Sequence, residues 1–146
     1  MTIAPEELAA IFERAPRLAE RVRGDDPASI VASARFEIAR MTEDERIGVL
    51  NAHPRLGADP ASLSTLSRRE QGGGADVTTL RDLALMNDEY ERKFGFRFVV
   101  FVGGRSKEEI VPVFRERLRR TREGELATGI DEFLAITRDR LTRIRP

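Results

Sequence analysis

The chain has no cysteine, no tryptophan, one tyrosine, one histidine and two lysines. The missing cysteines exclude disulfides, thiol nucleophiles and thiolate metal sites together, and they fit a reducing, cytoplasmic setting. With His53 as the sole imidazole, a zinc or copper site would need carboxylates almost alone, so no metal is expected. No apolar run approaches the roughly 18 residues that a membrane span needs. The opening "MTIAPEELAA" lacks the basic-then-apolar order of a secretory signal, so none is expected. Net charge is absent as well, with 25 basic and 25 acidic residues. Lys93 and Lys107 are the only lysines, so the other 23 basic residues are arginines. Clustered arginines would suit nucleic acid, but here the signs interleave, as in "TEDER" and "DEYERK". Interleaving of this kind belongs to solvated helix surfaces and argues against a nucleic-acid partner.

What is present is helical pattern. The 146 residues, 40% hydrophobic and 34% charged, fit one globular domain, 1–146, with a core of its own. "PEELAAIFERAPRLAERV" places Leu8, Ile11 and Phe12 on one face, then Leu18 and Val22 after the break at Pro16. "PASIVASARFEIARM" gives Ile30, Val31, Ala34 and Ile38. Thr42 and Glu45 form a capping box for a helix carrying Ile47, Val49 and Leu50. That helix should end near Ala52, because Pro54 disfavours helical geometry at His53. After a loop from Gly57 to Ser64, Ser67 and Glu70 read as a second capping box, for a helix of about one turn stopped by "GGG". A long helix is predicted from about Thr79 to Phe94, with Leu80, Leu83, Asn87, Tyr90 and Phe94 inward. Ser106 and Glu109 cap the next, with Ile110, Val113, Phe114 and Leu118 inward and Pro112 a source of a kink. The last runs from about Gly124 to Ile144, with the stripe Ile130, Phe133, Thr137, Leu141 and Ile144.

One run disagrees with this pattern. "FRFVVFV", Phe96 to Val102, has the composition of a buried strand. No second strand-like run exists to pair with it, and a lone strand leaves backbone groups unpaired. The expectation is therefore a buried extended or helical connector inside an all-α bundle of about seven to nine helices.

Three places could carry chemistry. His53-Pro54 puts an imidazole at a helix end and fixes the chain direction beyond it. Its plain reading is a surface histidine whose protonated form the helix C-terminus favours. Ser67-Arg-Arg-Glu70-Gln71 gathers a hydroxyl, a carboxylate and an amide on one turn, beside glycines that let backbone approach a ligand. Its plain reading is the cap. Arg138 and Arg140 lie near the end of the last helix, Arg140 bordering the apolar stripe. Such arginines mostly lay their stems along a core edge, and some bind planar oxygen pairs through the guanidinium fork. There is no P-loop, dinucleotide fingerprint or nucleophile elbow.

Taken in order, "NAHPRLG", "SRREQGGG", "LMNDEYERKFGFRFVVFVGGRSKEEI" and "RERLRR…EGELATGIDEFLAITRDRL" resemble the 2-oxo-4-hydroxy-4-carboxy-5-ureidoimidazoline (OHCU) decarboxylases of uric acid degradation. The resemblance runs from about Ile47 to Leu141, and "FERAPRLAERV" looks like the family's first helices. It implies an all-helical carboxy-lyase, usually a homodimer, that needs no cofactor and forms (S)-allantoin. It places the catalytic histidine and glutamate on His53 and Glu70. It places substrate contacts on Pro54, Ser67, Gln71, Phe98, Val99 and Arg140, with Arg138 as the fallback for the arginine. Arg55, Met86 and the pair Arg120-Thr121 stand where the family often has other residues. A decarboxylase-like fold acting on another ureido or imidazoline compound, and a non-catalytic helical interaction module, are the alternatives.

Overall fold

The computed structural model describes residues 5–12, 16–59, 63–71 and 75–144. Among these residues there are eight α-helices and no strand: α1 (Pro5–Ile11), α2 (Pro16–Arg21), α3 (Pro27–Ala39), α4 (Glu43–Asn51), α5 (Thr65–Gln71), α6 (Val77–Phe94), α7 (Lys107–Arg117) and α8 (Arg122–Ile144). Local chemistry sets most of the starts. Thr42 with Glu45, and Ser106 with Glu109, form reciprocal capping boxes for α4 and α7. Asp76 accepts from the Thr79 N–H at the start of α6. Gly95, at φ +82°, ends α6 in the left-handed conformation and turns the chain into the apolar segment. α7 continues through Pro112.

α8 is the axis of the bundle and packs against α1, α3, α4 and α6. Its stripe Phe133, Thr137 and Leu141 is fully buried, and Ile130 nearly so. A glycine sets the approach of α4. A Cβ at Gly129 would sit 3.0 Å from Leu50 Cδ1, so a larger residue there would push Leu50 back by a few tenths of an ångström. That contact fixes the helix whose end carries His53. Two predicted inward residues lie outside. Leu80 falls in the first turn of α6, and Ile144 is the last residue of α8, so each projects past the bundle at 36% and 40% exposure.

The expected start of α5 is corrected. The helix begins at Thr65, so Ser64 occupies the cap position and its Oγ accepts from the Ser67 N–H at 3.1 Å. Ser67 and Glu70 therefore sit inside the helix, released from capping each other. The Gly72–Gly74 run lies outside the described residues.

Residues 96–102 form an irregular buried connector with no strand partner, as the lone apolar run required. Side chains do the work of a neighbouring strand. The Arg97 N–H donates to Asn51 Oδ1, the Val99 carbonyl accepts from Arg117, and the Phe101 N–H donates to Glu132 Oε1. Aromatic packing anchors its inner side. Phe98 stacks on Phe114 at 3.7 Å, and the rings of Phe94, Phe96, Phe98 and Phe114 surround Tyr90 at 4.6 to 5.9 Å.

Candidate active site

A cavity of about 170 Å³ opens where the end of α4, the helix α5, the apolar segment and one face of α8 converge. His53 stands in its wall at 5% exposure, with the imidazole edge against the Phe133 ring at 5.3 Å and 85°. Neither ring nitrogen has a hydrogen-bond partner among the described residues. Its position is fixed through backbone. The His53 N–H donates to the Leu50 carbonyl at 3.1 Å, and Arg97 Nη1 donates to the His53 carbonyl at 2.6 Å. Burial, then the cations Arg140 and Arg97, push its pKa down to about 3. This reverses the helix-end reading, in which the C-terminal dipole favours the protonated ring. Loss of water outweighs the dipole, and the imidazole is neutral at physiological pH.

Glu70 comes from the second turn of α5. Arg140, 1% exposed, closes on it as a two-pronged fork, Nε to Oε2 at 2.7 Å and Nη2 to Oε1 at 2.6 Å. The same guanidinium donates to the Ile11 carbonyl at 2.8 Å and reaches Ser67 Oγ at 3.3 Å. α8, α5 and the end of α1 thus meet at one cation. The carboxylate balances the charge, and the carbonyl and hydroxyl accept its remaining N–H groups. Arg140 is not part of the cavity wall; it stands behind Glu70 and Ser67, which are. Arg138 is exposed on the other side of α8.

Gln71 lines the cavity, yet its amide is largely engaged. Its Oε1 accepts from the Gly57 N–H at 2.9 Å and its Nε2 donates to the Arg55 carbonyl at 3.2 Å. Asn87 Nδ2 donates to the Leu56 carbonyl at 3.1 Å, and Arg55 pairs with Glu91 and Asp88 of α6. The loop after His53-Pro54 is thereby pinned from α5 and from α6. Pro54, Phe98 and Val99 all lie in the wall.

Four charged wall residues were not among the sequence candidates: Arg69, Arg105, Asp139 and Arg143. Arg105 folds back on its own segment, donating to the carbonyls of Val102 at 3.0 Å and Phe101 at 2.6 Å. Arg143 donates to Asp139 at 3.0 Å. The Arg69 side chain makes no hydrogen bond or ion pair among the described residues. A signal for two of them was available: Ile136, Asp139, Arg140 and Arg143 are spaced i, i+3, i+4 and i+7 and share one helical face. Among the described residues, no three histidine or acidic side chains gather as a metal would require. No helix among them is long and apolar enough to cross a membrane.

A helical domain that gathers a histidine, a serine and an arginine-braced carboxylate around one small cavity has the make-up of a small-molecule site. Comparison with known proteins agrees and narrows the class. Residues 3–142 match the family described as OHCU decarboxylase, and the chain belongs to that family. It is 30% identical over 140 residues to the 2-oxo-4-hydroxy-4-carboxy-5-ureidoimidazoline decarboxylase of Haloferax volcanii, covering 90% of this chain and 82% of that protein. It is also 30% identical over 145 residues to the uric acid degradation bifunctional protein of Bacillus sp. (strain TB-90). There it covers 94% of this chain but only 29% of the relative's length. The fold matches a crystal structure of OHCU decarboxylase in the presence of (S)-allantoin, with a TM-score of 0.74, 22% identity and coverage of 94% and 96%. It also matches (S)-allantoin synthase, with a TM-score of 0.73, 20% identity and coverage of 95% and 48%.

Proposed function

We propose that this protein decarboxylates OHCU to (S)-allantoin in urate breakdown, with His53 and Glu70 as its acid–base groups. The observation that carries the reading is His53. An imidazole buried with both nitrogens unbonded is costly, and this one, packed on the Phe133 ring, faces a cavity shared with Glu70. A non-catalytic helical module gives no reason to bury it.

The chemistry follows from the compound. The carbon that bears the carboxylate also bears a hydroxyl. When the carbon–carboxylate bond breaks, CO₂ leaves and the electron pair passes into the adjacent ring imine. One proton must then reach the imine nitrogen and a second the neighbouring carbon from a single face, while the hydroxyl gives up its own to become a carbonyl, so that one proton is taken up for each CO₂ released. A neutral imidazole can accept the hydroxyl proton without first losing one. Glu70, held by Arg140 on the neighbouring wall, is the group for proton delivery once its carboxylate has taken up a proton from solvent. General acid–base help of this kind contributes about 10² to 10⁴-fold. Ser67, Pro54 and the backbone of Phe98 and Val99 would orient ring and ureido groups. Gln71 has one N–H left for this and otherwise holds the His53 loop. Arg140 acts from behind Glu70, which keeps it from clamping the departing carboxylate and stabilising the ground state.

The reading includes a homodimer and a cytoplasmic setting. The test is direct. The purified chain should accelerate the loss of freshly generated OHCU and yield optically active allantoin, and light scattering should give twice the chain mass. An unchanged rate of OHCU loss would rule the activity out. Turnover of a different ureido or imidazoline compound in its place would identify the related decarboxylase.

A further inference from the structure

The side-chain hydrogen bonds to the backbone of residues 97–101 fall on alternate residues. Asn51 takes the Arg97 N–H, Arg117 takes the Val99 carbonyl, and Glu132 and Arg105 take the N–H and carbonyl of Phe101. The N–H and carbonyl groups of Phe98 and Val100 make no hydrogen bond among the described residues, and both residues line the cavity. The planar trans peptide links the two sets. The carbonyl of one residue and the N–H of the next point in opposite directions across the same plane. Fixing the Val99 carbonyl therefore aims the Val100 N–H the other way. Fixing the Phe101 N–H likewise aims the Val100 carbonyl.

The group that holds the Val99 carbonyl is unusual in its surroundings. Arg117 is 3% exposed, Glu125 and Tyr90 0%. Arg117 donates from Nε to Glu125 Oε1 at 2.8 Å and from Nη1 to the Val99 carbonyl at 2.7 Å. The Tyr90 hydroxyl donates to the same Glu125 oxygen at 2.7 Å. The Arg117 guanidinium lies 4.4 Å from the centre of the Phe98 ring. Desolvating two charges and a phenol is costly, and apolar residues of the same volume often serve stability as well. Stability alone is thus a poor reason for this cluster. It meets the cavity through the peptide that it holds and through the Phe98 ring beneath its guanidinium.

We infer that Arg117 and Glu132 are positioning residues, which hold the two peptide planes flanking Val100 so that its N–H and carbonyl meet the cavity as one donor–acceptor pair. Such a pair matches the adjacent N–H and C=O of a ureido or cyclic-amide group. Glu125 and Tyr90 hold Arg117 in turn. The inference rests on the function proposed above and identifies what sets the substrate-facing backbone.

Three variants test it beside the wild type. Glu132→Ala removes the acceptor from a half-buried site, and Glu132→Gln restores one. Arg117→Met with Glu125→Gln removes the grip on Val99 without leaving a lone buried charge. KM for OHCU and the inhibition constant of allantoin are measured together with the melting temperature. The expected result is a rise of about tenfold in both constants for Glu132→Ala and for the double variant, with recovery in Glu132→Gln. A purely structural role would lower the melting temperature and the active fraction while both constants stayed at wild-type values, and that result overturns the inference. If the double variant does not fold, Glu132→Ala decides. A wild-type chain that leaves OHCU untouched overturns the functional reading and this inference with it. Wild-type turnover with unchanged constants in the variants overturns the inference alone.

Discussion

Arg140 closes both carboxylate oxygens of Glu70, at 2.7 and 2.6 Å, from a position seventy residues further along the chain. The pair joins α8 to α5, and through the Ile11 carbonyl it also joins α1. Arg140→Gln should therefore cost about 3–5 kcal/mol, the range for breaking a buried pair from one side. Urea denaturation at neutral pH measures it. A change below about 1 kcal/mol would mean that the fork is not formed in solution.

Glu70→Gln separates bracing from chemistry. The amide oxygen still accepts from Arg140, but the counter-charge is gone, so stability should fall by about 1–3 kcal/mol. Capping is not at issue, because Ser64 holds that position. Activity should fall by about 10²-fold or more when assayed well below the melting temperature. A variant that loses stability but keeps the wild-type rate would reduce Glu70 to a strut.

His53→Asn should lower the rate by about 10² to 10⁴-fold. Stability should hold or improve, since no hydrogen bond of the ring is lost. Full activity in the folded variant would remove His53 from the mechanism.

The same imidazole sets an acid limb on stability. In the unfolded chain it protonates near pH 6.5, and in the folded chain only near 3. Between those values the unfolded state binds the extra proton, so acidification favours unfolding. The contribution to stability falls by up to about 1.4 kcal/mol per pH unit from about pH 6.5 down to about 3, and is level above 6.5. Denaturation curves at pH 7, 6, 5 and 4 should show wild type losing ground against His53→Asn as pH falls. Parallel curves would contradict the depressed value.

Arg69 offers a test of how the substrate arrives. It is an exposed cation in the cavity wall with no partner among the described residues, and OHCU carries a carboxylate that allantoin lacks. Arg69→Gln should raise KM about two- to fivefold with kcat unchanged, as for an exposed ionic contact. Wild-type kcat/KM should also fall with added salt more steeply than that of the variant. Equal salt slopes would show that Arg69 plays no part in substrate capture.

Much of the helical framework is local information. Thr42 with Glu45 and Ser106 with Glu109 cap the helices that they mark in the sequence. Pro54 stops α4 where His53 begins the loop, and the apolar stripe of α8 is buried along most of its length. The candidate residues were legible by type and order. Their jobs were less so. Ser67 with Glu70 looked like a cap because spacing cannot tell which of two serines, Ser64 or Ser67, opens a helix. Leu80 and Ile144 looked inward because periodicity does not say how far a helix extends past its neighbours.

By itself the sequence determined where helices start and stop, the presence of one histidine in a cysteine-free chain, and a lone apolar run that no second strand could pair. Those properties depend on neighbours a few residues away, where caps, prolines and helical period act. Only the tertiary structure decided that His53 is neutral, that Arg140 braces Glu70 from behind the cavity wall, and that Arg117 and Glu132 stand in for a missing strand. Each of these depends on burial or on a contact between distant segments, and charge and hydrogen bonding change their energy most where folding has removed the water.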